Sequence, residues 1–156
     1  MLQKGFLASF LFFSFFNSYS QTQQETQEWL KNKLEFWSLS PKCGGVDIAV
    51  TFSECEMYVK GVNVAGDKFT TIIPIVDVGE ITFEKENTPN IAFTNMVIHT
   101  KDYAQTILHK ATDGLTYEFQ NITFQVSMGL GNVNKLKMKQ AFAHLSEMCS
   151  TSKEPF

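Results

Sequence analysis

Short runs of alternating apolar and polar residues occupy the middle of the chain. In the first run the apolar positions are even-numbered, from Val46 to Phe52, which is the period-two pattern of a strand with one buried face. Further apolar runs, separated by Gly, Asn, Asp and Pro turn residues, lie at 69–78, 81–86, 91–99, 105–111 and 115–128. This spacing predicts about seven strands in an antiparallel meander, because parallel strands need long crossover connections.

The parity of the apolar positions changes twice along these runs. The apolar residues are even-numbered up to Phe52 and odd-numbered from Cys55. A shift of one residue moves every side chain to the opposite face, so residues 53–54 must hold a bulge or a tight turn. The last run changes parity at 120–121 and predicts a second break there.

Two segments with helical rather than alternating periodicity flank the strands. Residues 22–37 contain no Gly or Pro, and four of their apolar side chains fall on one stripe: Trp29, Leu30, Leu34 and Trp37. Residues 133–149 likewise place one apolar set on a single face: Met138, Phe142, Leu145 and Cys149. Both segments are therefore predicted to be amphipathic helices that bury one side.

The order of these elements predicts an α+β fold. We expect an antiparallel seven-stranded bent sheet or barrel, with an N-terminal helix and a C-terminal capping helix. Over 46–149 this order resembles the pleckstrin-homology-like barrel, in which the C-terminal helix plugs one open end of a bent sheet. A cystatin-like or nuclear-transport-factor-like sheet is the alternative, although those families place their long helix before or inside the strands.

The family resemblance also bears on ligands. Members of the barrel family that bind phosphoinositides place Lys and Arg in the first hairpin, where this chain has Ser53, Glu54 and Glu56. The end of the chain, with Lys-Gln-Ala-Phe-Ala-His-Leu at 139–145 and Lys-Glu-Pro-Phe at 153–156, is similar to small secreted bacterial proteins of unassigned function. That second resemblance implies no catalytic residues.

Residues 1–20 have the organisation of a secretory signal peptide. Lys4 precedes an apolar run from Phe6 to Phe16, and small residues stand at 18 and 20. The run is too short to span a bilayer as a permanent anchor. We therefore expect cleavage, a single globular domain at 21–156 without a transmembrane anchor, and a secreted or periplasmic location.

Composition excludes one class of partner. The chain has 13 Lys and Arg residues together, all of them Lys, against 16 acids, and a formal net charge of −3. A dedicated nucleic-acid binder neutralises phosphates with clustered Lys and Arg. Nucleic acid is therefore not expected as a partner.

Three cysteines, Cys43, Cys55 and Cys149, allow one disulfide and one remaining thiol. A strand at 46–52 holds its two ends roughly 20 Å apart, which disfavours pairing Cys43 with Cys55. A bridge from Cys149 to either of the others is favoured. The alternative is that all three are small buried apolar side chains.

Catalytic and metal signatures are missing from the sequence. It has no Gly-x-Ser-x-Gly turn, and no two cysteines have the spacing of zinc ligands. His99 and His109 can meet across a hairpin centred on Ala104, but a turn centred half a residue earlier places them on opposite faces. We predict no catalytic, cofactor-binding or metal site.

A candidate anion site lies where the last strand leads into the C-terminal helix. Gly131 and Asn132 are followed by Lys135 and Lys139. Free backbone amides at a helix start and nearby ammonium groups together attract anions. The alternative is that these lysines simply extend into water.

The sequence favours a non-enzymatic binding module that exposes a groove or an edge to a small ligand or a protein. Two alternatives remain open. One is a small envelope hydrolase whose acid and base meet only in the folded chain. The other is a subunit of an envelope assembly, which would dock through Trp29 and Trp37 of the first helix.

Overall fold

The computed structural model describes residues 22–38, 46–63, 65–85 and 93–151. The predicted signal peptide and Cys43 lie outside these ranges. The helices and strands are α1 (Gln23–Trp37), β1 (Asp47–Ser53), β2 (Glu56–Val62), β3 (Lys68–Pro74), β4 (Val78–Lys85), β5 (Phe93–Thr100), β6 (Ile107–Ala111), β7 (Thr116–Phe119), β8 (Asn121–Ser127) and α2 (Gly131–Thr151). Neither helix has the length and apolar character needed to cross a membrane, among the residues described.

The strands form two antiparallel sheets, ordered β1-β2-β3-β6-β7 and β4-β5-β8. The chain passes from one sheet into the other three times. It does so through the 3-10 turn Ile75–Asp77 after β3, through residues 101–106 after β5, and through Gln120 after β7. At each passage the two successive strands lie in different sheets, and β3 pairs with β6 while β5 pairs with β8.

This topology confirms the α+β class, the antiparallel pairing and the two flanking helices. The strand count differs from the prediction, because the described residues form eight strands in two sheets rather than about seven in one. Within the described ranges no strand pairing joins the outer edges of the two sheets. Closure into a barrel stays a prediction.

The predicted parity breaks occur where expected. At the first break β1 and β2 form a tight hairpin, in which Ser53 pairs with Glu56 and Glu54 has a left-handed φ of 53°. The reversal brings Val50 opposite Val59, and both are fully buried on one face. At the second break the chain leaves β7 at Gln120 and enters β8.

The five-stranded sheet has an inner and an outer face, which are defined here by burial. The inner face carries the buried side chains of Val50, Val59 and Ile73. The outer face carries the residues that alternate with them, of which Lys60 is an exposed example. Alternation in a strand keeps these two sets apart.

Helix α1 begins with a capping box. Thr22 accepts a hydrogen bond from the Glu25 backbone, and the Glu25 side chain accepts one from the Thr22 backbone, which together satisfy two otherwise unpaired donors. Leu30 and Leu34 are fully buried, and Trp29 packs against the core. The apolar stripe of α1, the predicted docking element, is thus packed within the chain.

Helix α2 closes the other side of the core. The face predicted to be apolar is fully buried at Met138, Phe142, Leu145 and Cys149, and the helix contacts β4, α1 and the turn after β3. A disulfide joins Cys149 to Cys55 in the β1–β2 turn, with Cα atoms 5.6 Å apart. This is one of the two pairings that the sequence favoured.

Candidate binding surface

The two edges of the five-stranded sheet differ in their surroundings. At the β1 edge the Val50 backbone N–H donates a hydrogen bond to Glu35 Oε1 of α1 at 2.8 Å. The side-chain amides of Gln23 and Gln27 donate to the Glu54 carbonyl, at 3.0 and 2.9 Å, at the end of the same hairpin. Polar side chains of α1 therefore satisfy backbone groups at this edge.

At the opposite edge, all four residues of β7 are exposed. Tyr117 and Phe119 have 45 % and 43 % of their surfaces accessible, and Leu115 just before the strand has 53 %. In the described part of the chain β7 pairs with β6 alone. We call Leu115, Tyr117 and Phe119, together with the free backbone edge of β7, the β7 edge surface.

The turn before β7 determines which backbone groups reach the free edge. Gly114, with φ +84°, donates to the Ala111 carbonyl, and Ala111 N–H donates to the Leu115 carbonyl. Leu115 therefore directs its backbone toward β6. Because backbone groups alternate along an antiparallel strand, Thr116 and Glu118 direct theirs outward, which leaves two sets of donors and acceptors for another strand.

Aromatic rings continue from this edge across the inner face. Phe119 meets His109 edge-on, with ring centroids 6.0 Å apart, and His109 stacks on Phe69 at 5.3 Å. Tyr117 lies 6.5 Å from Phe119. Such rings provide a large apolar contact area with defined orientation.

Gly61 is required beneath the last ring of this row. A Cβ atom at that position would lie 2.7 Å from Phe69 Cζ and 2.6 Å from the Asp47 carbonyl oxygen. Any larger residue would displace the Phe69 ring, so the glycine lets Phe69 lie flat across β2. The sequence marks Gly61 only as a glycine within a strand.

His109 is the imidazole within the row. Its Nδ1 lies 2.9 Å from Oγ1 of the buried Thr71, so one ring nitrogen is hydrogen-bonded inside the sheet. Burial lowers the pKa of His109 from its ordinary value, since desolvation disfavours the charged imidazolium. Burial therefore favours the neutral imidazole in this row.

The two histidines that the sequence could bring together are separated. His99 lies on β5 of the three-stranded sheet, where its Nε2 is 3.1 Å from Thr82 Oγ1. His109 lies on β6, which pairs with β3 and β7 instead. In the ranges that the structure describes, no group of three His, Cys, Asp or Glu side chains is arranged to hold a metal ion.

The residues of the predicted anion site lie in the first three turns of α2. Gly131, Asn132 and Lys139 are exposed, and Lys135 is half-buried with its ammonium 5.6 Å from the Phe83 ring centroid. Gly131, Lys135 and Lys139 are spaced by four residues and share one helix face. Lys135 already has an aromatic partner there, and anion binding at this place stays a prediction.

The sequence carried a partial signal for the β7 edge surface. The alternation of Leu115, Tyr117 and Phe119 predicts a strand with one apolar face. It does not tell whether that face is covered.

Comparisons of the chain with known protein families, with curated proteins and with solved structures find no significant match.

Proposed function

We propose that the protein is a non-enzymatic binding module that takes up an extended segment of a partner protein at the β7 edge surface. The observation that carries this proposal is the contrast between the two edges of one sheet. At the β1 edge a side chain of α1 accepts the Val50 N–H, whereas β7 combines outward backbone groups with exposed apolar side chains. Proteins usually blunt a free edge because it recruits other strands.

The chemistry of the edge favours a partner in extended conformation. Thr116 and Glu118 offer alternating backbone donors and acceptors, and an added strand would hydrogen-bond to both. Tyr117 and Phe119 lie on one face at a spacing of two residues, so the partner strand would place apolar residues at every second position. Its backbone would supply affinity and its side chains selectivity.

A location outside the cytoplasm belongs to the same proposal. It is supported by the signal-peptide pattern in residues 1–20 and by the Cys55–Cys149 disulfide, a bond that persists mainly in oxidising compartments. A strand-binding module outside the cytoplasm suits a subunit of an envelope assembly.

The pleckstrin-homology-like barrel is likewise proposed. Its support is the antiparallel strand order and the packing of α2 against β4.

Selection from a displayed library of random peptides against residues 21–156 tests the proposal. We expect enrichment of peptides with apolar residues at alternate positions. Binding of these peptides should be lost in Glu118→Pro, which removes an outward N–H while leaving the β6 pairing intact. Glu118→Ala is the matched control, because it keeps the N–H and should bind normally.

Two outcomes would contradict the proposal. One is a selection that enriches no alternating peptides. The other is equal binding of the selected peptides to Glu118→Pro, Glu118→Ala and the unaltered protein. A two-dimensional NMR spectrum of each variant verifies that the folds being compared are the same.

A further inference from the structure

The β7 edge surface is complementary to a second copy of itself. Thr116 and Glu118 direct their backbone groups outward, so an added strand must hydrogen-bond at these two positions. When β7 of a second copy runs antiparallel with its Tyr117 opposite Tyr117, Thr116 of each copy lies opposite Glu118 of the other. Both outward positions of both strands are then paired, and each pair exchanges two backbone hydrogen bonds.

The same register brings apolar side chains together on the inner face. Tyr117 meets its own copy across the twofold axis, and Leu115 lies opposite Phe119 on either side of it. In the single chain about half of each of these side chains is accessible, and cross-strand aromatic and apolar pairs stabilise a sheet. The aromatic row from Phe69 through His109 to Phe119 would then continue into the second copy.

The outer face is also compatible with this register. β6 and β7 carry one lysine, Lys110, and one carboxylate, Glu118, and both side chains are exposed. Lys110 pairs with Thr116, so Glu118 of the second copy would lie two strands from Lys110, roughly 10 Å between Cα atoms. The joined strands therefore hold equal numbers of positive and negative charges. The carboxylate of Asp113, in the turn before β7, accepts a hydrogen bond from the Leu115 N–H.

The neighbouring registers are less favourable. A register centred on Glu118 would place the carboxylates of the two copies directly opposite each other, which is destabilising. A register centred on Thr116 would place Glu118 opposite Gly114, which has a φ of +84° and belongs to the turn. The register centred on Tyr117 avoids both of these costs.

We infer that two copies of the protein pair through β7 when no partner segment is bound, and that their two five-stranded sheets then form one continuous sheet. The inference rests on the proposed function, because a second copy is here one strand that the β7 edge surface takes up. A partner segment and a second copy need the same backbone groups. Self-pairing therefore covers both free edges in one symmetric contact until a partner strand displaces it.

Sedimentation equilibrium of residues 21–156 at concentrations up to about 1 mM tests the inference. One short strand from each copy makes a small interface, so we expect a weak, reversible monomer–dimer equilibrium. Glu118→Pro should abolish the dimer, because it removes an outward N–H. A saturating concentration of the edge-selected peptides should dissociate it.

A charge substitution tests the register. Thr116→Glu places a second carboxylate opposite Glu118 in both pairs and should weaken dimerisation about tenfold. Thr116→Gln is the matched control, because it has the same size without the charge and should dimerise like the unaltered protein. Thr51→Glu adds the same charge at an exposed position of β1, away from the interface, and should also leave dimerisation unchanged.

Four results would overturn the inference. They are a protein that stays monomeric over this range, equal dimerisation of Thr116→Glu and Thr116→Gln, a dimer that persists in Glu118→Pro, and a dimer that persists with saturating peptide. A monomer that binds the edge-selected peptides would overturn self-pairing alone and leave the proposed function standing. A dimer that Thr116→Glu weakens, in a protein for which no peptides are enriched, would support self-pairing and contradict the proposed function.

Discussion

The β1 and β7 edges belong to one sheet but carry opposite kinds of surface. At β1, the Glu35 carboxylate accepts the outward Val50 N–H, and neighbouring glutamines of α1 satisfy the turn. At β7, the outer backbone groups have no partner within the described residues, and the Tyr117 and Phe119 rings are nearly half accessible. The comparison shows that side chains of α1 hydrogen-bond to backbone groups of the β1 hairpin, whereas no residue in the described ranges does so at the outer side of β7.

The largest expected effect comes from the disulfide that fastens the β1 side to α2. Replacing Cys55 and Cys149 together by Ser opens a loop with a sequence separation of 94, which should lower the free energy of unfolding by about 4 kcal/mol. Chemical denaturation measures this change. A double variant as stable as the parent would refute the prediction.

Truncating a buried side chain beside the β1 edge should lower the free energy of unfolding more than truncating an exposed ring at the β7 edge. Leu34→Ala removes a fully buried side chain of α1 and should cost about 3 kcal/mol of unfolding free energy. Phe119→Ala removes a half-accessible ring and should cost about 1 kcal/mol or less, while abolishing binding of edge-selected peptides. Thermal melts of both variants provide the comparison, and equal losses would remove the distinction between the two edges.

A smaller effect is expected from the hydrogen bond that closes β1. Glu35→Ala leaves the Val50 N–H without its acceptor and should cost about 1–2 kcal/mol. It should also speed hydrogen exchange of that amide by one to two orders of magnitude, roughly as the local stability falls. Glu35→Gln keeps an acceptor oxygen and is the control; unchanged exchange in Glu35→Ala would contradict the role assigned to Glu35.

The smallest expected effect is the pH response of the aromatic row. Because burial lowers the pKa of His109 in the folded protein, the unfolded chain binds a proton first as the pH falls. His109 therefore contributes stability that is present above its unfolded pKa, about 6.5, and is lost as the pH falls toward the folded pKa. The free energy of unfolding should decline less steeply between pH 7 and 5 in His109→Gln, and parallel curves would show that His109 has no such role.

Local patterns in the sequence were sufficient to predict the helices and strands and which face of each is buried. Alternation identified the strands, the parity changes located the breaks at 53–54 and 120–121, and the helical stripe of Leu30 and Leu34 is buried as expected. These features depend on neighbours within a few residues, which is the range that side-chain periodicity reports. The cysteine pairing was narrowed to two choices because a strand holds its ends apart.

The candidate binding surface could not be predicted from local sequence patterns. Leu115, Tyr117 and Phe119 have the periodicity of a half-buried strand, and nothing local distinguishes an edge strand from a central one. Phe69 and His109 are far apart in the chain and their rings stack only because β3 pairs with β6. The anion site at Gly131 and Lys135 could be predicted from sequence because its residues lie within a few positions of each other on one helix, and it stays a prediction.

The sequence by itself therefore determined the α+β class, the antiparallel strands, the two amphipathic helices and the turn positions, all of which follow from short-range periodicity and turn chemistry. The tertiary structure decided how the strands divide into two sheets, which cysteine Cys149 meets, and which edge α1 covers. Those outcomes arise from pairings between distant segments. The free energy of such a pairing depends on which surfaces are buried together. A local pattern of apolar residues contains no information about that choice.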